Sequence, residues 1–126
     1  MNKLLVGLLV MLSVSAEAKL LGNPTVEETK YFERLSDCIY HIEGGANTKY
    51  PYGIKSIPTN GNKELARKYC INTVRNNFYR WQAKGSKGDY LTFLANAYCP
   101  IGASDDPKGL NKNWLRNLRS QLDKQN

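Results

Sequence analysis

Apolar residues recur at helical spacing in successive stretches of this chain. Phe32, Leu35, Ile39 and Ile42 follow one another at three- and four-residue intervals, with Tyr31 and Cys38 widening the stripe. That periodicity puts them on one face of an α-helix. Thr25-Val26-Glu27-Glu28 ahead of them reads as a capping box behind Pro24, and Gly44-Gly45 behind them reads as a stop. A first helix is predicted from about Val26 to about Glu43. Asn62 can cap a second, running to about Ala83, with Ala66, Cys70, Val74, Phe78 and Trp81 in line and Leu65 and Tyr69 beside them. Gly85 to Gly88 breaks the chain. Asp89 can cap a third helix containing Leu91, Phe93, Leu94, Ala97 and Tyr98, which Pro100 ends. After the loop Ile101 to Gly109, Trp114, Leu115, Leu118 and Leu122 mark a last helix. The expectation is a mainly α domain of four main helices, with no internal repeat and no linker.

Between the first two helices the pattern lapses. Ala46 to Asn62 is punctuated by Pro51, Gly53, Pro58 and Asn60-Gly61, yet it carries Tyr50, Tyr52, Ile54 and Ile57. A loop this long in a compact domain tends to be functional or disordered, and this one is too apolar for disorder. An ordered binding loop, irregular or with a short hairpin, is expected.

The apolar run Leu4 to Val14 is of another kind. It follows Asn2 and Lys3 and precedes Ala16-Glu17-Ala18, the order of a secretory signal with its small-residue cleavage site. It is too short to span a bilayer as a helix. Residues 1–18 are read as a signal peptide, Lys19 as the new N-terminus, and residues 19–126 as one domain that works in the periplasm or outside the cell, with no membrane span of its own and as a monomer.

The charge adds a partner class. Eighteen Lys and Arg against 11 Asp and Glu give a net charge of +7, suited to solubility or to attraction by acidic envelope polymers or nucleic acid. Arg75, Asn76, Asn77, Arg80 and Trp81 are the best case for nucleic acid. Helical spacing, however, sends Trp81 to the core stripe with Phe78 and leaves a solvated basic face, so no nucleic-acid partner is assigned. The single His excludes a two-histidine ribonuclease and, with no Cys-x-x-Cys, argues against a zinc site. No metal or cofactor is implied. Three cysteines permit one intrachain disulfide in an exported chain. Cys70 and Cys99, on helices after the central loop, are the favoured pair, with Cys38 a small buried hydrophobe. A Cys38–His41 peptidase is disfavoured, because a thiolate near a helix C-terminus meets the negative end of the dipole.

Glu43 is the most informative position. It ends an apolar helix directly before two glycines. The helix dipole there disfavours a carboxylate, and apolar neighbours add to the effect, so its pKa should rise. A general acid needs that property to hold its proton near neutral pH.

The segment Ile42-Glu43-Gly44-Gly45-Ala46-Asn47, followed by Tyr52-Gly53-Ile54, resembles the active-site signature of the lysozyme-like superfamily, in its soluble lytic transglycosylases and phage-type muramidases. The Tyr90-to-Tyr98 helix, with Ala97-Tyr98 near its end, is loosely similar to the later tyrosine motif of the transglycosylases. The resemblance implies a small lysozyme-like helical domain that cleaves peptidoglycan glycan strands, with Glu43 as the acid. It implies Tyr52 and Gly53 along the saccharide cleft and Tyr98 positioning the sugar beside Glu43. Tyr50 and Asn47 join them as candidate sugar contacts, since aromatic faces and amides suit saccharides; for each tyrosine, core packing competes with that role. Phage-type lysozymes place an Asp or similar group soon after the Glu, whereas Gly44 to Lys63 contains no Asp or Glu. Asp89, Asp105 and Asp106 have cap or turn explanations. A one-glutamate mechanism is therefore favoured over a two-carboxylate one. The resemblance to lytic transglycosylases implies that the muramyl C6 hydroxyl then attacks to give a 1,6-anhydro product, with hydrolysis through a remote Asp as the open alternative. The competing reading is a non-catalytic, wall-binding or inhibitor-like exported module, for which Glu43 would be dispensable.

Overall fold

The computed structural model describes residues 23–55 and 62–125. The signal-peptide assignment and, in the central loop, Ile57, Pro58 and Asn60-Gly61 lie outside the described residues. By its contacts the chain divides at Lys30. On the near side, Thr25 and Glu28 form the expected capping box: each backbone N–H donates to the other's side-chain oxygen at 3.0 Å.

The protein is mainly helical. Helix α1 spans Val26–Ile42, α2 Lys63–Ala83, α3 Tyr90–Tyr98 and α4 Lys112–Lys124. Between α1 and α2 the described residues form no hairpin. The described part of that loop makes two single 3-10 turns, Gly45–Asn47 and Pro51–Gly53, and no strand occurs among the described residues. No described helix is long and apolar enough to cross a membrane.

The helix starts are set locally. Asn62 accepts from the Leu65 N–H at 3.0 Å, and Asp89 accepts from the Thr92 N–H at 3.2 Å. Each satisfies an amide that the first helical turn leaves without a partner. Beyond Lys30 the core gathers Phe32, Leu35, Cys38 and Ile39 of α1, Ala66, Cys70 and Val74 of α2, Tyr90 and Leu94 of α3, and Trp114 and Leu118 of α4. Phe78 meets Phe32 and Tyr90 edge-on, with ring centroids 5.4 and 5.0 Å apart. The buried Tyr90 hydroxyl donates to the Val74 carbonyl at 2.7 Å, tying α3 to α2.

The loop from Cys99 to Asn111 hangs on one carboxylate. Asp106, 6% exposed, accepts from the N–H groups of Gly102, Leu110 and Asn111 at 3.0, 2.8 and 3.1 Å. Those bonds hold its pKa below the ordinary aspartate value, because they favour the charged form. They also set the entry of α4 and therefore the position of Trp114. Asp106→Ala is expected to leave α1 to α3 intact and to strip hydrogen-exchange protection from the Gly102, Leu110 and Asn111 amides. In the parent, the same protection should persist until pH falls below the usual aspartate range. Protection unchanged by the substitution would remove Asp106 from this role.

The predicted Cys70–Cys99 disulfide is corrected: Cys38, Cys70 and Cys99 are all free thiols. Cys70 Sγ is met by the Tyr98 hydroxyl, at 3.6 Å, and by the Ser36 side chain. Cys70 is fully buried whereas Cys99 is half-buried, so the two side chains serve different surroundings. Cys38 is fully buried, as expected, and His41 is exposed on the helix face.

Candidate active site

Glu43 follows the last residue of α1, its N–H still bonded to the Ile39 carbonyl at 3.0 Å. The chain then turns away at Gly44, whose φ of +113° lies where an L side chain is rarely found and glycine is at ease. The turn leaves the glutamate side chain half-buried. Burial pushes its pKa above the ordinary glutamate value. A hydrogen bond from Trp114 and the nearby positive charge of Lys55 pull the other way without overcoming it. The direction is the one the sequence implies, with desolvation as the leading cause.

Two contacts fix the carboxyl. The Trp114 indole N–H donates to Glu43 Oε2 at 2.9 Å. From another side Gly53 presses against it: a Cβ built on Gly53 would lie 2.6 Å from Glu43 Cδ, 2.7 Å from Oε1 and 2.9 Å from Oε2. Only a residue without a side chain leaves that space.

Gly53 reaches this position through a strained turn. Tyr52 has φ +62° and ψ +14°, a left-handed conformation that costs a non-glycine residue about 1–2 kcal/mol, and Gly53 continues at φ +70°. The Gly53 N–H closes the turn on the Tyr50 carbonyl at 2.8 Å. The Tyr98 hydroxyl donates to the Tyr52 carbonyl, which anchors the turn to the end of α3. Strain that the surroundings hold in place is a mark of working sites.

Tyr98 in turn lies flat against Trp114, the ring centroids 5.2 Å apart and the planes 19° from parallel. The result is a closed circuit. Trp114 holds Glu43, Tyr98 holds Trp114 and the Tyr52 carbonyl, and the turn from Tyr52 delivers Gly53 to Glu43.

The predicted site residues are therefore distributed unevenly. Glu43, Gly53 and Tyr98 come together. Tyr98 does so from behind, its hydroxyl spent on Tyr52 rather than offered to a ligand. Tyr52 needs a correction: its side chain is 1% exposed and packs on Tyr40 at 5.2 Å, so it cannot line a cleft. What it contributes is its backbone. Asn47 and Tyr50 are exposed on the loop. The Tyr50 ring carries Lys49 and Lys55 over it, at 5.2 and 5.8 Å, an aromatic face flanked by cations.

Trp114 is the residue that sequence reasoning missed. Its spacing with Leu118 marked only a helix, and at 6% exposure it belongs to the core. A buried indole, however, needs an acceptor for its N–H, and a glutamate at a helix end supplies one. Cys70 and Cys99 stand near enough for the Glu43 charge to help raise their pKa values, which burial chiefly pushes up to about 11. Among the described residues, no group of three or more His, Cys, Asp or Glu is placed to hold a metal ion. Comparison of the chain with family models, with curated proteins and with solved structures finds no match.

Proposed function

We propose that this chain cleaves the glycan strands of peptidoglycan, as a muramidase or lytic transglycosylase, with Glu43 as general acid and then base. The observation that carries the reading is the environment of one carboxyl. Glu43 is half-buried at a helix end, biased toward its protonated form, and gripped by a donor that cannot itself take a proton. General acids are made by such environments. The resemblance of Ile42 to Asn47 and Tyr52 to Ile54 to the lysozyme-like signature supplies the substrate class. An exported chain would meet that substrate, and its basic surface would favour acidic envelope polymers.

The acid form of Glu43 gives its proton to the glycosidic oxygen as the bond from that oxygen to the anomeric carbon breaks. The resulting carboxylate then takes a proton from the incoming hydroxyl. If that hydroxyl is the C6 group of the muramyl residue, its oxygen bonds to the anomeric carbon and closes a 1,6-anhydro ring. If it is water, a reducing end forms. The absence of a nearby carboxylate from the sequence motif favours the first course. In line with it, the charge bearing on Glu43 is that of Lys55, while Asp89 is engaged by Thr92 and Arg119 and Asp106 by its loop amides. Digestion of purified sacculi tests the reading. Mass spectrometry should find anhydro-ended fragments; reducing ends would mean hydrolysis. Binding without release of any fragment would overturn cleavage in favour of a wall-binding module.

A further inference from the structure

We propose that Trp114 is a positioning residue for Glu43, fixing which carboxyl oxygen carries the transferable proton: Oε2 is held as an acceptor and Oε1 is left to be the acid. This rests on the role proposed above for Glu43. An indole N–H is a donor only. In the acid form of Glu43, a carbonyl oxygen accepts the indole N–H, 2.9 Å from Oε2, better than a hydroxyl oxygen with its reduced acceptor capacity does. The contact therefore favours the carbonyl at Oε2 and the proton on Oε1. In the base form, the same N–H makes a charge-assisted bond to the carboxylate and favours that form, so the donor also sets how far the pKa can rise.

The geometry makes Trp114 fit to orient another group. Its ring is nearly buried and stacked on Tyr98. Tyr98 is itself fixed by its bond to the Tyr52 carbonyl. Gly53, next in the chain, abuts the carboxyl that Trp114 holds. A displaced indole would disturb Glu43 directly, and it has little room to be displaced. The other titratable groups around Glu43 are Lys55 from the loop, Cys70 from α2, and Tyr98 and Cys99 at the end of α3. Both thiols, pushed up to about 11, remain neutral across the range in which a carboxyl titrates. Burial raises the Tyr98 phenol further above its ordinary value. Lys55 is thus the neighbour whose charge acts on Glu43, and it is left unchanged by a substitution at Trp114.

Trp114→Phe keeps an aromatic ring against Tyr98 and removes the N–H. Replacing Trp114 with its benzothiophene analogue keeps the bicyclic shape as well and puts sulfur where the N–H was. Glu43 is then titrated in the full-length chain through its ¹³C-labelled carboxyl. Both variants should titrate at higher pH than the parent, because a donor that favoured the carboxylate is gone. The high-pH limb of sacculus cleavage should move up with it, kcat should fall roughly ten- to a hundredfold for a loosened acid, and KM should change little. A Glu43 titration that stays in place in the folded benzothiophene variant overturns the proposal. The titration is read without any substrate, so the two readings fail separately. A shifted titration in a chain whose parent releases nothing from sacculi upholds the Trp114–Glu43 coupling and sinks the glycosidase. Cleavage by the parent with an unshifted titration does the reverse.

Discussion

Glu43→Gln is expected to abolish fragment release from purified sacculi, a loss of about 10³-fold or more on the scale of general acid catalysis, without unfolding the chain. Glutamine has the size of glutamate, and its amide oxygen can keep the bond from the Trp114 N–H. What it lacks is the proton that leaves and returns. Linkage gives the variant a second signature. Burial raises the Glu43 pKa, so the folded state holds this proton more tightly than the unfolded one does. Its stabilising contribution is complete below the ordinary glutamate pKa and is lost as pH rises through the folded value. The glutamine, which does not titrate, loses nothing over that window. Melting temperatures measured from pH 4 to 8 should show the parent declining relative to Glu43→Gln, with the variant no less stable at neutral pH. Cleavage by the parent should weaken over the same rise in pH, as the acid form is depleted. A variant as active as the parent would end the enzymatic reading.

The helices were legible because their signals are local. Each cap acts over three residues: Thr25 with Glu28, Asn62 with Leu65, Asp89 with Thr92. Such bonds survive whatever the rest of the chain does. The stripe on α2 was legible as far as Val74 and then shifted. Asn77 is buried, while Phe78 and Trp81 are half-buried. A 3.6-residue repeat continues from Val74 to position 77 or 78, and sequence alone preferred the aromatic. Asn77 can be buried because its amide donates to the Thr73 carbonyl at 2.8 Å, a partner one helical turn back.

Glu43 was legible as a position, since a helix end and two glycines mark it locally, but its raised pKa comes chiefly from burial, which distant parts of the chain supply. The partner of its carboxyl was not legible. Trp114 is separated from it by 71 positions, and nothing in the spacing of α4 distinguishes an indole that fills the core from one that also fills the core and points its N–H at a carboxyl. The cysteine pairing failed on similar ground. Two thiols on helices beyond one loop satisfied the count, but which atom faces Cys70 depends on how the end of α3 rotates, and that rotation presents Tyr98. Tyr52 misled through its company. It lies in a motif whose neighbours reach the site, but its left-handed backbone turns the ring inward to Tyr40.

Gly53→Ala separates the role of this turn from the stability of the backbone. Two costs meet at this position. The first is conformational: φ of +70° costs an alanine about 1–2 kcal/mol, a fall in melting temperature of roughly 5–10 °C for a domain of this size. The second is a collision, because the new Cβ would sit 2.6 Å from Glu43 Cδ and 2.7 and 2.9 Å from its oxygens. Those atoms end a flexible side chain, so they yield more readily than the backbone would. Glu43 is pushed off Trp114, and the damage falls on activity more than on folding. Misplacing a catalytic group by about an ångström costs on the order of 10²-fold. Gly88→Ala provides the matched control. Gly88 has nearly the same backbone angle, φ +74°, and nothing within 4 Å of a built Cβ. It should lose comparable stability and keep its rate on sacculi. The expected pattern is thus a Gly53→Ala variant that melts at or below Gly88→Ala, since the displaced carboxyl also deprives the buried Trp114 N–H of its acceptor, and a rate about a hundredfold lower. Equal rates would mean that the carboxyl pressed against Gly53 is not the group that does the chemistry.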